Sequence, residues 1–146
     1  SILFIIAAAI GFARVLTFYE APEIIAKAIS GTVSSKIGFL IIVNVILLFV
    51  GMIMDTTPAI LILTSIFLPT AEVYGIDPIH FGVIMVVNLA IGFVTPPLGV
   101  NLFVASSISG VAIEKIVKKA VPFIVSFIVA LAIITFVPSI SLALIK

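Results

Sequence analysis

The chain has 146 residues, of which 64% are hydrophobic and 9% charged, with a formal net charge of +1 at pH 7; soluble domains carry about 25% charged residues. That composition marks an integral membrane protein, and no basic cluster is interleaved with aromatics, which argues against a nucleic-acid ligand. The lack of cysteine excludes disulfides, thiolate metal sites and cysteine nucleophiles, and one histidine, His80, is too few for a histidine metal site.

The elements follow from hydropathy and helix breakers. Ile2 to Tyr19 reads as a first transmembrane helix, just long enough to span about 30 Å at 1.5 Å per residue. The chain starts Ser1-Ile2-Leu3 with no basic leader, and Arg14 interrupts the apolar run, so the expectation is a helix entered partway along a longer polypeptide rather than a signal peptide. Arg14 is expected to snorkel to the interface. Glu20 to Ser35 is amphipathic, with Ile24, Ile25, Ala28 and Ile29 on one face and the i,i+4 pair Glu23 and Lys27 on another, which suits an arm lying along the interface.

Lys36 to Tyr74 is too long for one span, roughly 58 Å as a continuous helix, and too short for two complete spans with an aqueous loop. Asp55 is the only charged residue between Lys36 and Glu72, and Asp55-Thr56-Thr57-Pro58 breaks the run there. The expectation is a re-entrant hairpin with arms Ile37 to Met54 and Pro58 to Tyr74 and a polar tip inside the membrane, which is tolerated only where protein or a water-filled cavity surrounds it. Gly75-Ile76-Asp77-Pro78 is a surface turn. Phe81 to Ile113 is a second long uncharged run, interrupted by Thr95-Pro96-Pro97-Leu98-Gly99. Two consecutive prolines remove two backbone donors, so a discontinuous helix is expected, with halves near Phe81 to Val94 and Leu98 to Ser109. Val111 to Lys119 is a short amphipathic stretch, and Val121 to Ile145 is the last transmembrane helix, with Pro138 in its final third.

The two breaks match each other. Thr57-Pro58 and Thr95-Pro96 each place threonine before proline, the N-cap and first-turn preferences of a new helix, so each reads as a half-helix N-terminus at membrane depth. Such ends present N–H groups and a positive dipole to an anionic substrate, which assigns Thr57, Pro58, Thr95, Pro96 and Pro97 to substrate binding. The half-helices arriving at each break end in carbonyls suited to a hard cation such as Na⁺, with Asp55, Thr56, Thr57, Thr95, Gly99 and Asn101 as further oxygen donors. A carboxylate near mid-bilayer costs on the order of 2.5–3.5 kcal/mol, so it faces a cavity or partner. Asn44 and Asn88 are read as interhelical hydrogen bonds, and His80 as interfacial.

The stretches Gly51-Met52-Ile53-Met54-Asp55-Thr56-Thr57-Pro58-Ala59-Ile60, Phe67-Leu68-Pro69 and Gly92-Phe93-Val94-Thr95-Pro96-Pro97-Leu98-Gly99-Val100-Asn101 resemble the large membrane subunit of TRAP transporters (tripartite ATP-independent periplasmic transporters, DctM type). The resemblance covers nearly the whole chain and matches the C-terminal repeat of that subunit. It implies an all-α fold of the ion-transporter superfamily, in which this chain is one half of an inverted-repeat elevator-type transporter. In that arrangement residues 1–19 are a scaffold helix, 20–35 an arm, 36–110 part of the transport domain (re-entrant hairpin 36–74 and broken helix 78–109), and 111–146 a linker and final helix. It also implies Na⁺ coupling, the bacterial inner membrane, and as partners the N-terminal half of the same subunit, a small TRAP membrane subunit, a periplasmic binding protein and a carboxylate substrate such as a C4-dicarboxylate or sialic acid. No enzymatic activity is implied.

Two other classes fit the sequence less well. A channel would line a continuous path with repeated polar residues, whereas polarity here concentrates at two breaks. An intramembrane aspartyl protease needs paired carboxylates, and Asp55 has no second intramembrane acid in the sequence. Lys115, Lys118 and Lys119 form the densest basic cluster, so the positive-inside rule places them in the cytoplasm, Lys146 in the periplasm and the open end of the hairpin toward the periplasm. Lys27 and Lys36 run against that assignment.

Overall fold

The computed structural model describes residues 2–33, 35–97 and 99–143, and among them finds eight helices and no strand: α1 Ile2–Phe18, α2 Ala21–Thr32, α3 Lys36–Ile53, α4 Thr56–Val73, α5 Pro78–Gly92, α6 Val100–Ser109, α7 Ile113–Phe136 and α8 Pro138–Leu142. The helices start where the sequence supplies caps. Ser35 accepts from the Gly38 amide at 3.1 Å to open α3. Asp77 accepts from the Ile79 amide at 2.8 Å and the His80 amide at 3.3 Å, with Pro78 preset for the first turn of α5. Gly110, at φ 66°, closes α6 in the left-handed conformation that glycine adopts without strain.

Among the described residues, α3, α4 and α7 are each long and apolar enough to cross a membrane, and α1 with α2 passes the same test as one span bent by 66°. The bend falls at Tyr19 and Glu20, where Glu20 takes a left-handed φ of 55°. Against the expected faces of α2, it is Pro22, Ile25, Ala26 and Ile29 that turn inward, at the 3–4 residue spacing of one helix face; Ile24 and Ala28 are exposed.

The core lies where α3, α4 and α5 meet. Phe39, Val43, Leu47, Ala59, Phe81 and Ile84 are essentially inaccessible there. α3 and α5 run side by side in the same direction: the Phe39 and Phe81 rings are 6.4 Å apart, Asn44 bonds Asn88, and Gly51 meets Gly92. α4 returns along them, with Thr64 Oγ1 donating to Met85 Sδ at 3.2 Å. At the open end of this pair, Lys36 Nζ donates to the Gly75 carbonyl at 3.0 Å, Tyr74 Oη to the Val33 carbonyl at 2.7 Å, and the Tyr74 and Phe39 rings stack at 4.9 Å. Both ends of the α3–α4 pair are thus tied at the level where α5 begins. Outside this core the surface is apolar: Phe4 is 79% and Phe123 65% exposed, a solvent pattern suited to lipid.

Three sequence expectations are revised. The amphipathic stretch at Val111 to Lys119 and the final span are one continuous helix, α7, which passes through Pro122. Pro122 removes only the donor that the Lys118 carbonyl would have used, near the exposed start of that helix. The break comes instead at Val137-Pro138, and the end of the predicted last helix, residues 144–146, lies outside the described residues. His80 is not interfacial in the sense of facing solvent: it is 1% exposed, with Nδ1 2.9 Å from Ser141 Oγ of α8. That contact brings the end of α7 back to the level where α5 starts, so the start of α7 lies at the opposite side of the molecule.

Candidate functional site

The site is built from the two interruptions, at Met54-Asp55 between α3 and α4 and at Phe93–Gly99 between α5 and α6. What places them together is a backbone contact just before each. A Cβ on Gly51 would lie 2.9 Å from the Leu89 carbonyl oxygen, and one on Gly92 would lie 2.6 Å from the Gly51 carbonyl carbon. Only two glycines permit this approach, and it sets the end of α3 level with the end of α5. Because the two helices are parallel, both breaks open at the same end of the packed pair.

At the first break the cap lies two residues earlier than the Thr57 cap expected from the sequence. Asp55 is the N-cap, its Oδ1 accepting from the Thr57 amide at 3.3 Å, and Thr56, Thr57 and Pro58 are the first three helical residues. Proline remains harmless there because first-turn amides have no intrahelical partner. The Asp55 carboxylate occupies the positive end of α4, where an external anion was expected. Its carbonyl accepts from the Ala59 amide at 3.2 Å. Among the described residues, the Thr56 amide is left without a partner, as are the carbonyls of Gly51, Met52 and Ile53. Asp55 and Thr57 are exposed, Thr56 and Pro58 half-buried.

At the second break, Thr95-Pro96 is not a helix start. Thr95 lies within the break and is tied back to the end of α5: its Oγ1 donates to the Ile91 carbonyl at 2.6 Å and its amide to the Gly92 carbonyl at 3.0 Å. The chain then passes Pro96-Pro97, joined by a cis peptide, and α6 begins at Val100 after Gly99 as N-cap. Leu98, the expected start of the second half, lies outside the described residues. Gly99 is buried at φ 32°, and a Cβ there would stand 2.9 Å from the Thr95 carbonyl oxygen, so Thr95 and Gly99 are in contact. The Asn101 amide reaches back to the Phe93 carbonyl at 3.3 Å, stitching α6 to the end of α5. The Asn101 side chain is exposed, as is Pro97; Thr95 and Pro96 are half-buried.

Of the predicted residues, then, Asp55 and Thr57 are joined by a hydrogen bond, Thr95 and Gly99 by packing, and Asn101 enters through its backbone. The helix starts offer fewer amides to an anion than the sequence implied, because Asp55 and the Phe93 carbonyl already hold some of them. Oxygen donors are more plentiful: the end carbonyls of α3, the Thr95 carbonyl, three threonine hydroxyls and the second Asp55 oxygen. That set is chemically suited to a hard cation.

Sequence reasoning did not identify the glycine contact, although a glycine three or four residues before each break was its signal. It did anticipate that Asn44 and Asn88 each make an interhelical hydrogen bond, but not that they bond each other. Asn88 Nδ2 donates to Asn44 Oδ1 at 2.7 Å and to the Asn44 carbonyl at 3.0 Å, and Asn44 Nδ2 reaches Thr135 Oγ1 of α7 at 3.4 Å. The part of Thr135 had no sequence signal.

A family model described as the tripartite ATP-independent periplasmic transporter, DctM component, matches residues 1–140. The chain is 50% identical over 129 residues to the isethionate TRAP transporter permease protein DctMQ of Oleidesulfovibrio alaskensis, covering 88% of this chain and 20% of that protein. It is 46% identical over 143 residues to the C4-dicarboxylate TRAP transporter large permease protein DctM of Pseudomonas aeruginosa, covering 98% and 34%. It is 34% identical over 137 residues to the 2,3-diketo-L-gulonate TRAP transporter large permease protein YiaN of Escherichia coli, covering 94% and 32%. The chain spans between 20% and 34% of the length of these curated relatives.

Proposed function

Because this chain belongs to the DctM family of TRAP transporter large permeases, we propose that it forms the C-terminal part of a subunit importing an organic acid anion across the bacterial inner membrane, driven by Na⁺. The observation that carries this reading is the Gly51–Gly92 contact, which sets two broken helix ends side by side. Paired breaks of this kind in apolar helices are the way a transporter places backbone oxygens and amides at membrane depth.

In this reading α3 and α4 are a re-entrant hairpin and residues 36–110 move as part of an elevator domain, while 1–19, 20–35 and 111–146 serve as scaffold, arm and outer helix. Na⁺ is held by Asp55, Thr56, Thr57, Thr95, Gly99 and Asn101. The substrate approaches Thr57, Pro58, Thr95, Pro96 and Pro97, and the remaining amides of Thr56 and Val100 contribute beside them. The N-terminal half of the same subunit completes the site over the exposed faces of Asp55 and Asn101, and a small membrane subunit and a periplasmic binding protein deliver the substrate. Isethionate, C4-dicarboxylates and 2,3-diketo-L-gulonate, named for the relatives, are all anions at neutral pH, and a carboxylate such as sialic acid fits the same chemistry.

The test is uptake by the complete permease in proteoliposomes, titrated with Na⁺ and supplied with its binding protein. Asp55→Asn keeps an equally good N-cap but removes the charge, so the half-saturating Na⁺ concentration should rise about 10- to 150-fold, the effect of losing a charged ligand worth roughly 1.5–3 kcal/mol. Sodium dependence identical to the parent removes Asp55 from the site. A parent that takes up substrate without Na⁺ overturns the coupling itself.

A further inference from the structure

We propose that the mouth of the α6–α7 hairpin binds the headgroup of an anionic phospholipid. An open groove of about 650 Å³ lies there, lined by Ala105, Ser109, Val111, Lys115, Lys118 and Lys119. The lysines stand at i, i+3 and i+4, so they share one face of the first turns of α7. That placement is costly within the chain. Lys115 and Lys119 repel each other at i,i+4, and cations at a helix N-terminus oppose the dipole. Glu114, in the first turn, is the one acid within residues 111–119. An external anion seated among the three ammonium groups relieves both costs.

The loop itself is already closed. Ser106 Oγ donates to the Val111 carbonyl at 2.7 Å, Ser109 Oγ to the Ala105 carbonyl at 2.6 Å, and Ser109 Oγ accepts from the Val111 amide at 3.3 Å. The hydroxyls are therefore occupied in holding the turn, and recognition falls to the lysines as point charges. Apolar surface adjoins the charged rim on both helices: Val104 and Ile108 on α6 are 49% and 83% exposed, and Val121 and Phe123 on α7 are 47% and 65% exposed. A cationic rim above an apolar flank matches a phosphodiester headgroup with acyl chains below it, whereas soluble phosphate makes no use of the flank. Basic pockets between membrane helices are known hosts for anionic headgroups. The proposal uses none of the transport-site residues and does not depend on the substrate.

The experiment reconstitutes the full-length permease in nanodiscs of equal phosphatidylglycerol and phosphatidylcholine and measures the lipid retained after extraction by mass spectrometry. The parent should retain phosphatidylglycerol selectively. Lys115→Gln combined with Lys118→Gln and Lys119→Gln should lower that selectivity roughly a hundredfold, the scale expected for losing three surface cations, and the corresponding arginine triple should keep it. Should the glutamine triple fail to fold, Glu114→Gln gives a second arm, since removing the one acid should raise selectivity. Unchanged retention in the glutamine triple or in Glu114→Gln overturns the proposal, as does equal thermal stabilisation of the purified protein by inorganic phosphate and by phosphatidylglycerol.

Discussion

At the scale of single residues, the molecule depends on two glycines more than on any of the polar groups that mark its site. A Cβ at Gly92 would stand 2.6–2.8 Å from the Gly51 backbone and the Leu48 carbonyl, all of it backbone that cannot rotate away. Gly92→Ala should therefore push α3 and α5 apart at a cost of about 1–3 kcal/mol, the usual range for overpacking. A detergent melting curve that does not move would mean the two helices tolerate separation there. The Asn44–Asn88 pair fixes the same register one to two turns away. In a double-mutant cycle with Asn44→Ala and Asn88→Ala, the coupling should be about 0.6–1.7 kcal/mol, as for interhelical hydrogen bonds in membrane proteins. Additive effects would show that the pair does not act as a unit. Both asparagines were recognisable in the sequence as isolated amides on apolar helices; their partners were not, because residues 44 positions apart on different helices meet only when the helices pack.

At the scale of elements, the breaks were legible and their chemistry was not. Proline pairs and an Asp-Thr-Thr-Pro run interrupt helices for local steric reasons, so their positions follow from residue order alone. Which residue caps the next helix depends on where the backbone turns. Asp55 takes the cap that Thr57 was expected to supply, and Gly99, not Thr95, precedes α6. The break after α5 is held by Gly99 at φ 32° and by the Asn101 amide on the Phe93 carbonyl, as well as by the prolines. Replacing Pro96 and Pro97 with alanine restores backbone donors worth up to about 3 kcal/mol each if the helix becomes continuous. The variant should melt no lower than the parent while losing most uptake, both measured on one preparation. Full uptake with unchanged melting would separate the break from transport.

At the scale of the whole molecule, the His80–Ser141 contact decides the relation of the two ends. It returns the end of α7 to the level of the start of α5, which leaves Lys115, Lys118 and Lys119 at the far side from Lys36 and Gly75. With 24 residues, α7 is about 36 Å long, enough to cross the bilayer alone. The positive-inside rule then predicts cytoplasmic lysines at the start of α7 and a periplasmic open end of the α3–α4 pair. A cysteine at position 115 in the full-length permease should react with an impermeant reagent only from the cytoplasmic side, and one at position 75 only from the periplasmic side; the reverse pattern would invert the topology. Lys36, which ran against this assignment by charge alone, is engaged with the Gly75 carbonyl and closes the pair.

Residue order by itself determined the membrane class, the helical segments, both interruptions and the family, because hydropathy and proline sterics act within a few residues. Only the tertiary structure decided that the interruptions lie side by side, that Asp55 rather than a threonine caps α4, and that α7 runs unbroken through Pro122. Each of these depends on the closeness of two backbones or the competition of two groups for one amide, and such distances are set when helices pack, not by the order of residues along any one of them.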